Sequence, residues 1–171
     1  MSEKPPHHDS MVISENYDDH WGFASFEGKT ILDIGADWGS TTYYFLQHGA
    51  KKIVAVEGDR KKALELFANY NHVANVVCIE MLIKSAEQFE QLIFKYKPDI
   101  VKCDIEGDER YLLNVPVATI ASIGEWLLET HSDDLHQKFL GLFNSLYPKV
   151  TIHYEIIRKE FPPVRVIWAR R

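Results

Sequence analysis

From Lys29 onward, short aliphatic runs alternate with longer amphipathic segments, and that alternation leaves few folds open. Thr30–Ile34 is followed by Ser40–His48, Lys52–Val56 by Asp59–Tyr70, and Val76–Glu80 by a segment that ends before Pro98. The runs are too short for helices and rich in β-branched residues, as strands buried on both sides are; the segments between them carry apolar residues at helical spacing. Repetition of this kind builds a parallel sheet with helices on both faces. Asp59 is placed to cap a helix in which Lys61 and Lys62 meet water and Ala63, Leu64, Phe67 and Ala68 form the apolar stripe. Ser85, with Gln88 three residues on, has the pattern of a capping box. A fourth strand is expected at Ile100–Asp104, a helical turn at Asp108–Asn114 and a fifth strand at Ile123–Glu129. A helix over Asp133–Leu146 should then turn Leu135, Phe139, Leu142, Phe143 and Leu146 inward. The last strands, Val150–Ile157 and Val164–Ala169, are joined only by Arg158 to Pro163. So short a connection cannot cross over a sheet, so the two form an antiparallel hairpin. The expected architecture is an α/β, Rossmann-like, mostly parallel seven-stranded sheet closed by that hairpin, with helices on both faces.

At 171 residues and 46% hydrophobic content the chain suffices for one domain, taken as residues 28–171, with 1–27 as a lead-in or cap. His7, His8 and His20 in that lead-in read as surface residues. The formal charge of −6 offers no general attraction to nucleic acid or anionic membrane. Cys78 and Cys103 lie in strand-like runs without zinc-site spacing and read as buried, reduced thiols. No apolar run approaches the roughly 20 residues of a membrane span, and Met1–Ser10 is polar with Pro5 and Pro6, so a cytoplasmic protein is expected.

The chemistry concentrates where strands end. After the first strand stands Asp33-Ile34-Gly35-Ala36-Asp37-Trp38-Gly39-Ser40, a strand-to-helix turn in the position where open α/β sheets bind ligands. Gly35 permits the tight turn and Gly39 lets the next helix start hard against the sheet, forming a cradle of backbone groups. The loop is GxxxG rather than GxGxxG, and Asp37 would repel a phosphate, which disfavours a dinucleotide. Asp33 and Asp37 suit an α-ammonium or a sulfonium, and S-adenosylmethionine has both. Glu57, closing the second strand about twenty residues on, is placed to accept both ribose hydroxyls. Alone, a strand-ending Glu is usually a solvated charge; with the loop, in order and spacing, it indicates a nucleoside site. The candidate cofactor set is Asp33, Gly35, Ala36, Asp37, Gly39, Glu57, Gly58, Ser85 and Asp104.

The fourth strand runs into Val101-Lys102-Cys103-Asp104-Ile105-Glu106-Gly107-Asp108-Glu109, and the fifth ends in Leu128-Glu129-Thr130-His131. Asp104, Glu106 and His131 are the candidates for taking a proton from an acceptor. With Glu129 they could also hold a hard cation, but carboxylates gather at helix starts without binding anything, and no metal is expected.

These motifs resemble the FkbM-type methyltransferases, a branch of the class I S-adenosylmethionine-dependent fold. The resemblance runs from about Thr30 to His131: the Asp33–Gly39 loop, Glu57-Gly58, the Lys102–Glu109 octet with Lys, Asp, Glu, Gly and Glu in register, and Glu129-Thr130-His131. Asp37, Trp38, Gly58 and Asp108 stand where that family usually has Asn, an aliphatic, Pro and Ala. The resemblance implies O-methylation of a hydroxyl on a small molecule or sugar by in-line transfer from S-adenosylmethionine; separately, so short a chain points to a homodimer as one arrangement. Two other readings stand beside it. One is a non-catalytic S-adenosylmethionine or nucleoside-binding module. The other is an RNA-directed methyltransferase, for which Lys149, Arg158, Lys159, Arg165, Arg170 and Arg171 supply a local basic excess.

Overall fold

Thr30–Ile34 forms β1, and four of its five residues, Ile31 to Ile34, are buried in succession. A strand buried on successive residues has both faces covered, as the aliphatic run predicted. The computed structural model describes residues 17–156 and 164–171, with backbone only at 154–156. The chain falls into two compact units, one ending at Leu82 and the other beginning at Ile83.

In the first unit, helix α1 (Tyr17–Trp21) precedes β1, and α2 (Ser40–Gln47), β2 (Lys52–Glu57), α3 (Arg60–Tyr70) and β3 (Val76–Glu80) follow. β1 pairs with β2 and β2 with β3, both in parallel. Asp59 caps α3, its Oδ1 accepting from Lys62 N at 3.0 Å. The apolar stripe of α3 differs from expectation: Ala63, Leu66 and Tyr70 are buried while Leu64 is 57% exposed. Buried positions at i, i+3 and i+7 define a face one residue away from the one read off the sequence, because Tyr70 anchors it. The lead-in also differs. His20 and Trp21 are both 2% exposed, and Phe26 lies 4.7 Å from Phe45 between ring centroids. His20 is therefore a core residue, not a surface one: a helix of five residues is held by burying its aromatic side rather than by propensity. The other two lead-in histidines, His7 and His8, lie outside the described residues, as does the connection Arg158 to Pro163.

The second unit holds α4 (Ala86–Tyr96), β4 (Ile100–Cys103), a 3-10 helix (Asp108–Asn114), α5 (Val117–Ser122), β5 (Glu125–Thr130), α6 (Asp133–Leu146), β6 (Lys149–Ile156) and β7 (Val164–Arg170). β4 and β5 are parallel, β7 runs antiparallel to β5, and β6 antiparallel to β7, so the hairpin adds to the sheet through its second strand. The capping box is displaced by one residue: Gln88 Oε1 accepts from Lys84 N at 2.6 Å, and Ser85 accepts no hydrogen bond from the first turn of α4. Helix α6 turns His136, Phe139 and Phe143 fully inward, with Leu135, Leu142 and Leu146 only partly covered. His136 tolerates that burial because its Nδ1 lies 3.2 Å from Thr130 Oγ1. Helix α5, with Pro116 at its N-cap, has no counterpart in the sequence reading.

Candidate active site

In the first unit, the turn between β1 and α2 is held from three sides. Gly35 N and Ala36 N both donate to Val56 O, at 2.9 and 3.0 Å, and Gly39 N donates to Ala36 O at 2.9 Å. Asp37 N donates to Glu57 Oε2 at 2.8 Å, while Asp59 N donates to Glu57 Oε1 at 2.7 Å. From α3, Tyr70 Oη donates to Gly39 O at 2.7 Å, Asn69 Nδ2 to Trp38 O at 3.1 Å, and Lys62 pairs with Asp37 at 3.2 Å. Backbone φ values of 79° at Gly35, 53° at Asp37 and 98° at Gly39 explain both glycines and mark Asp37 as a left-handed non-glycine residue.

The loop is thus less a cradle of donors than expected, since the N–H groups of Gly35, Ala36, Asp37 and Gly39 are all taken within the fold. A phosphate site needs such groups pointing at the ligand. Asp33 is wholly buried and its Oδ2 accepts from Thr41 and Thr42 hydroxyls at 2.7 and 3.3 Å, which ties β1 to the first turn of α2. Ala36 is buried beside it. Gly58 sits against Leu82, where a Cβ would approach Cδ1 to 2.7 Å; this fits the absence of a bulkier residue after Glu57. Glu57 is 8% exposed, and each of its oxygens receives one backbone N–H and keeps a second lone pair that can accept a ribose hydroxyl. The donor set therefore fits a nucleoside without phosphate, the character S-adenosylmethionine has. Asp33, Gly35, Ala36, Asp37, Gly39, Glu57 and Gly58 are gathered at this one strand-end. Ser85, the N-cap of α4, and Asp104 belong to the second unit.

In the second unit, Asp104, Glu106 and His131 converge as the sequence suggested. His131 Nε2 lies 3.6 Å from Asp104 Oδ1, 3.6 Å from Glu106 Oε2 and 3.6 Å from Glu129 Oε1. Its Nδ1 lies 3.0 Å from Glu109 Oε1, which also accepts from Ile105 N at 2.9 Å. Glu109 is 0% exposed. Burial pulls the imidazole's pKa down, but the hydrogen bond to Glu109 and the charges of Glu109, Asp104 and Glu129 outweigh it, so that the pKa rises to about 9. Lys102, fully buried on β4, stands 3.7 Å from Asp104 Oδ2. Glu106 has φ of 56° and Gly107 99°, so the chain turns through two left-handed residues and leaves Glu106 89% exposed at the rim. Asp108 turns away to pair with Arg110 at 2.8 Å. Glu109 was not among the candidates; its place in the Lys102–Glu109 octet is the signal that could have found it, but its burial against His131 depends on the 3-10 helix closing back on β5. Tyr70 and Asn69, which brace the loop, carry no sequence signal beyond their place at the end of α3.

Comparison with known proteins follows the same lines. Residues 15–143 match the model of the FtsJ-like methyltransferase family. Uncharacterized protein 65 of Sulfolobus islandicus filamentous virus is 31% identical over 118 residues, 67% of each chain. Among solved structures, precorrin-6y C5,15-methyltransferase from Geobacter metallireducens superposes with a TM-score of 0.67 at 16% identity, covering 94% of this chain and 92% of that one. The ribosomal protein L11 methylase of Lactobacillus delbrueckii gives 0.57 at 15% identity, covering 88% and 74%. At such identities the likeness is one of fold: the seven-stranded α/β Rossmann-like fold of class I methyltransferases, which the terminal antiparallel strands β7 and β6 complete. With a family match across most of its length, this chain belongs to the FtsJ-like methyltransferases and is an S-adenosylmethionine-dependent enzyme.

Proposed function

We propose that the enzyme methylates a hydroxyl of a small molecule or sugar, as an FkbM-type member of the class. The observation that carries this reading is the group Asp104, Glu106 and His131, held together at the ends of β4 and β5, the first two from the Lys102–Glu109 octet and the third from the Glu129-Thr130-His131 stretch that resemble that family. S-adenosylmethionine, when bound, supplies an electrophilic methyl group on sulfur. The chain's own residues do the rest. Glu57 accepts the ribose hydroxyls, already oriented by the N–H groups of Asp37 and Asp59. Asp33, Gly35, Ala36, Asp37, Gly39 and Gly58 shape the loop beside it, with Ser85 and Asp104 completing the set. In the free protein at neutral pH His131 is an imidazolium, so the proton leaving the acceptor hydroxyl goes to the Asp104 or Glu106 carboxylate as the new C–O bond forms. His131, beside both, steadies the developing charge.

Calorimetric titration with S-adenosylhomocysteine, beside Gly35→Arg and Glu57→Ala variants, tests the cofactor half; micromolar binding, lost in the first variant and weakened in the second, is expected. Label transfer from S-adenosylmethionine to a panel of sugars, small alcohols and phenols, with RNA alongside, tests the acceptor. Transfer to RNA alone would overturn the small-molecule reading, and binding without transfer to any acceptor would favour a non-catalytic module.

A further inference from the structure

His131 is placed in a way that hydrogen bonding alone does not account for. Its Nδ1 is committed to Glu109, which puts the ring's other nitrogen toward Asp104, Glu106 and Glu129. At 3.6 Å the imidazolium attracts all three carboxylates but makes no hydrogen bond to any of them, so Nε2 faces a set of equally spaced oxygens. Ligands each about 2.1 Å from one ion, at a tetrahedral or slightly wider angle, stand about 3.4 to 3.6 Å apart. One ligand atom from each of Asp104, Glu106 and His131 lies within 4.8 Å of the others.

A second observation comes from Glu109. This carboxylate is wholly buried on the imidazole's inner side, and its Oε2 has no hydrogen-bond partner. A buried carboxylate is costly without compensating positive charge. A cation on the far nitrogen of His131 takes the place of the proton there and keeps positive charge beside Glu109 through the ring, in the carboxylate–histidine–metal arrangement in which the second carboxylate fixes tautomer and orientation. Access is open, because Asp104 is 28% and Glu106 89% exposed.

We infer that Asp104, Glu106 and His131 form a binding site for a divalent first-row cation of the Mn2+ type, with Glu109 as the buried partner of the histidine ligand and Glu129 at its flank. One imidazole with carboxylates and no thiol favours such an ion over Ca2+, which takes six to eight oxygens. Binding displaces the proton from Nε2, so affinity rises with pH. If the acceptor reading above holds, the ion would also draw the acceptor hydroxyl to itself and ease its deprotonation, a role that rests on that reading; the cation site does not.

The test is titration of the full chain with Mn2+, following free ion by electron paramagnetic resonance, with Ca2+ as the competing ion. One Mn2+ per chain is expected, not displaced by equal Ca2+. Affinity should fall about tenfold or more in Asp104→Asn and His131→Gln, and about tenfold in Glu109→Gln. Asp134→Asn, an exposed carboxylate on α6, should change nothing. Asp104→Asn, partly exposed, serves if the histidine variant does not fold. Absence of binding at millimolar Mn2+, or binding unchanged in Asp104→Asn, overturns the inference. S-adenosylhomocysteine titrated into the same sample separates the two readings: its binding without Mn2+ binding removes the cation site and leaves the methyltransferase.

Discussion

At Gly39 a Cβ would stand 2.1 Å from Tyr70 Cε2, on a residue whose φ is 98°. Both the contact and the backbone conformation oppose any side chain, so Gly39→Ala should cost about 2 kcal/mol or more in urea unfolding. It should also weaken S-adenosylhomocysteine binding, because the Tyr70 hydroxyl holds the carbonyl of this residue. Cys78, expected to be buried like Cys103 but only partly covered, shows how even partial burial reshapes a single group. Desolvation alone pushes its thiol up to about 11, so it stays neutral at ordinary pH. Iodoacetamide at pH 8 should therefore leave Cys78 of the folded protein largely unmodified and alkylate it rapidly after denaturation; equal rates in the two states would contradict this. Alkylation of the folded chain should rise only as pH climbs toward 11, since a raised thiol pKa delays formation of the reactive thiolate.

The strands were the most legible elements: β1 and β2, buried on both sides, carry an uninterrupted aliphatic signature, with β2 extending by one to include Glu57, and the less buried β3 also occupies the expected residues. Helices were legible in extent but less so in facing. In α3 the expected stripe held Leu64, and the ring of Tyr70 packed behind Gly39 turns Leu66 inward instead. Helix α1 was not legible at all, since five residues carry no period and its burial comes from aromatics elsewhere. The structure makes it part of the first unit's core: Tyr17 Oη donates to Ser40 Oγ at 2.8 Å, and Tyr44 Oη to Asp18 Oδ1 at 2.9 Å. Trp21→Ala should accordingly cost about 3–5 kcal/mol, as truncating a buried aromatic does, where a loose lead-in would cost nothing measurable in a thermal melt. The candidate site was legible in its glycines and in the octet. It was not legible in Glu109, Asn69 and Tyr70, whose roles come from contacts made only after folding.

For the molecule as a whole, ligand binding and stability are linked. S-adenosylhomocysteine at about 100 times its dissociation constant should stabilise the fold by about 2.7 kcal/mol, visible as a raised melting temperature, while NAD at the same concentration should leave it unmoved. A rise with NAD would contradict the reading of the loop. The net charge of −6 adds that polyanion columns should not retain the protein at moderate salt. The four loop N–H groups already committed within the fold have a further meaning for life in a crowded metabolite pool. With these four donors spent inside the fold, ATP and its relatives gain little from the loop, so S-adenosylmethionine occupancy should be unmoved by millimolar ATP in a competition titration.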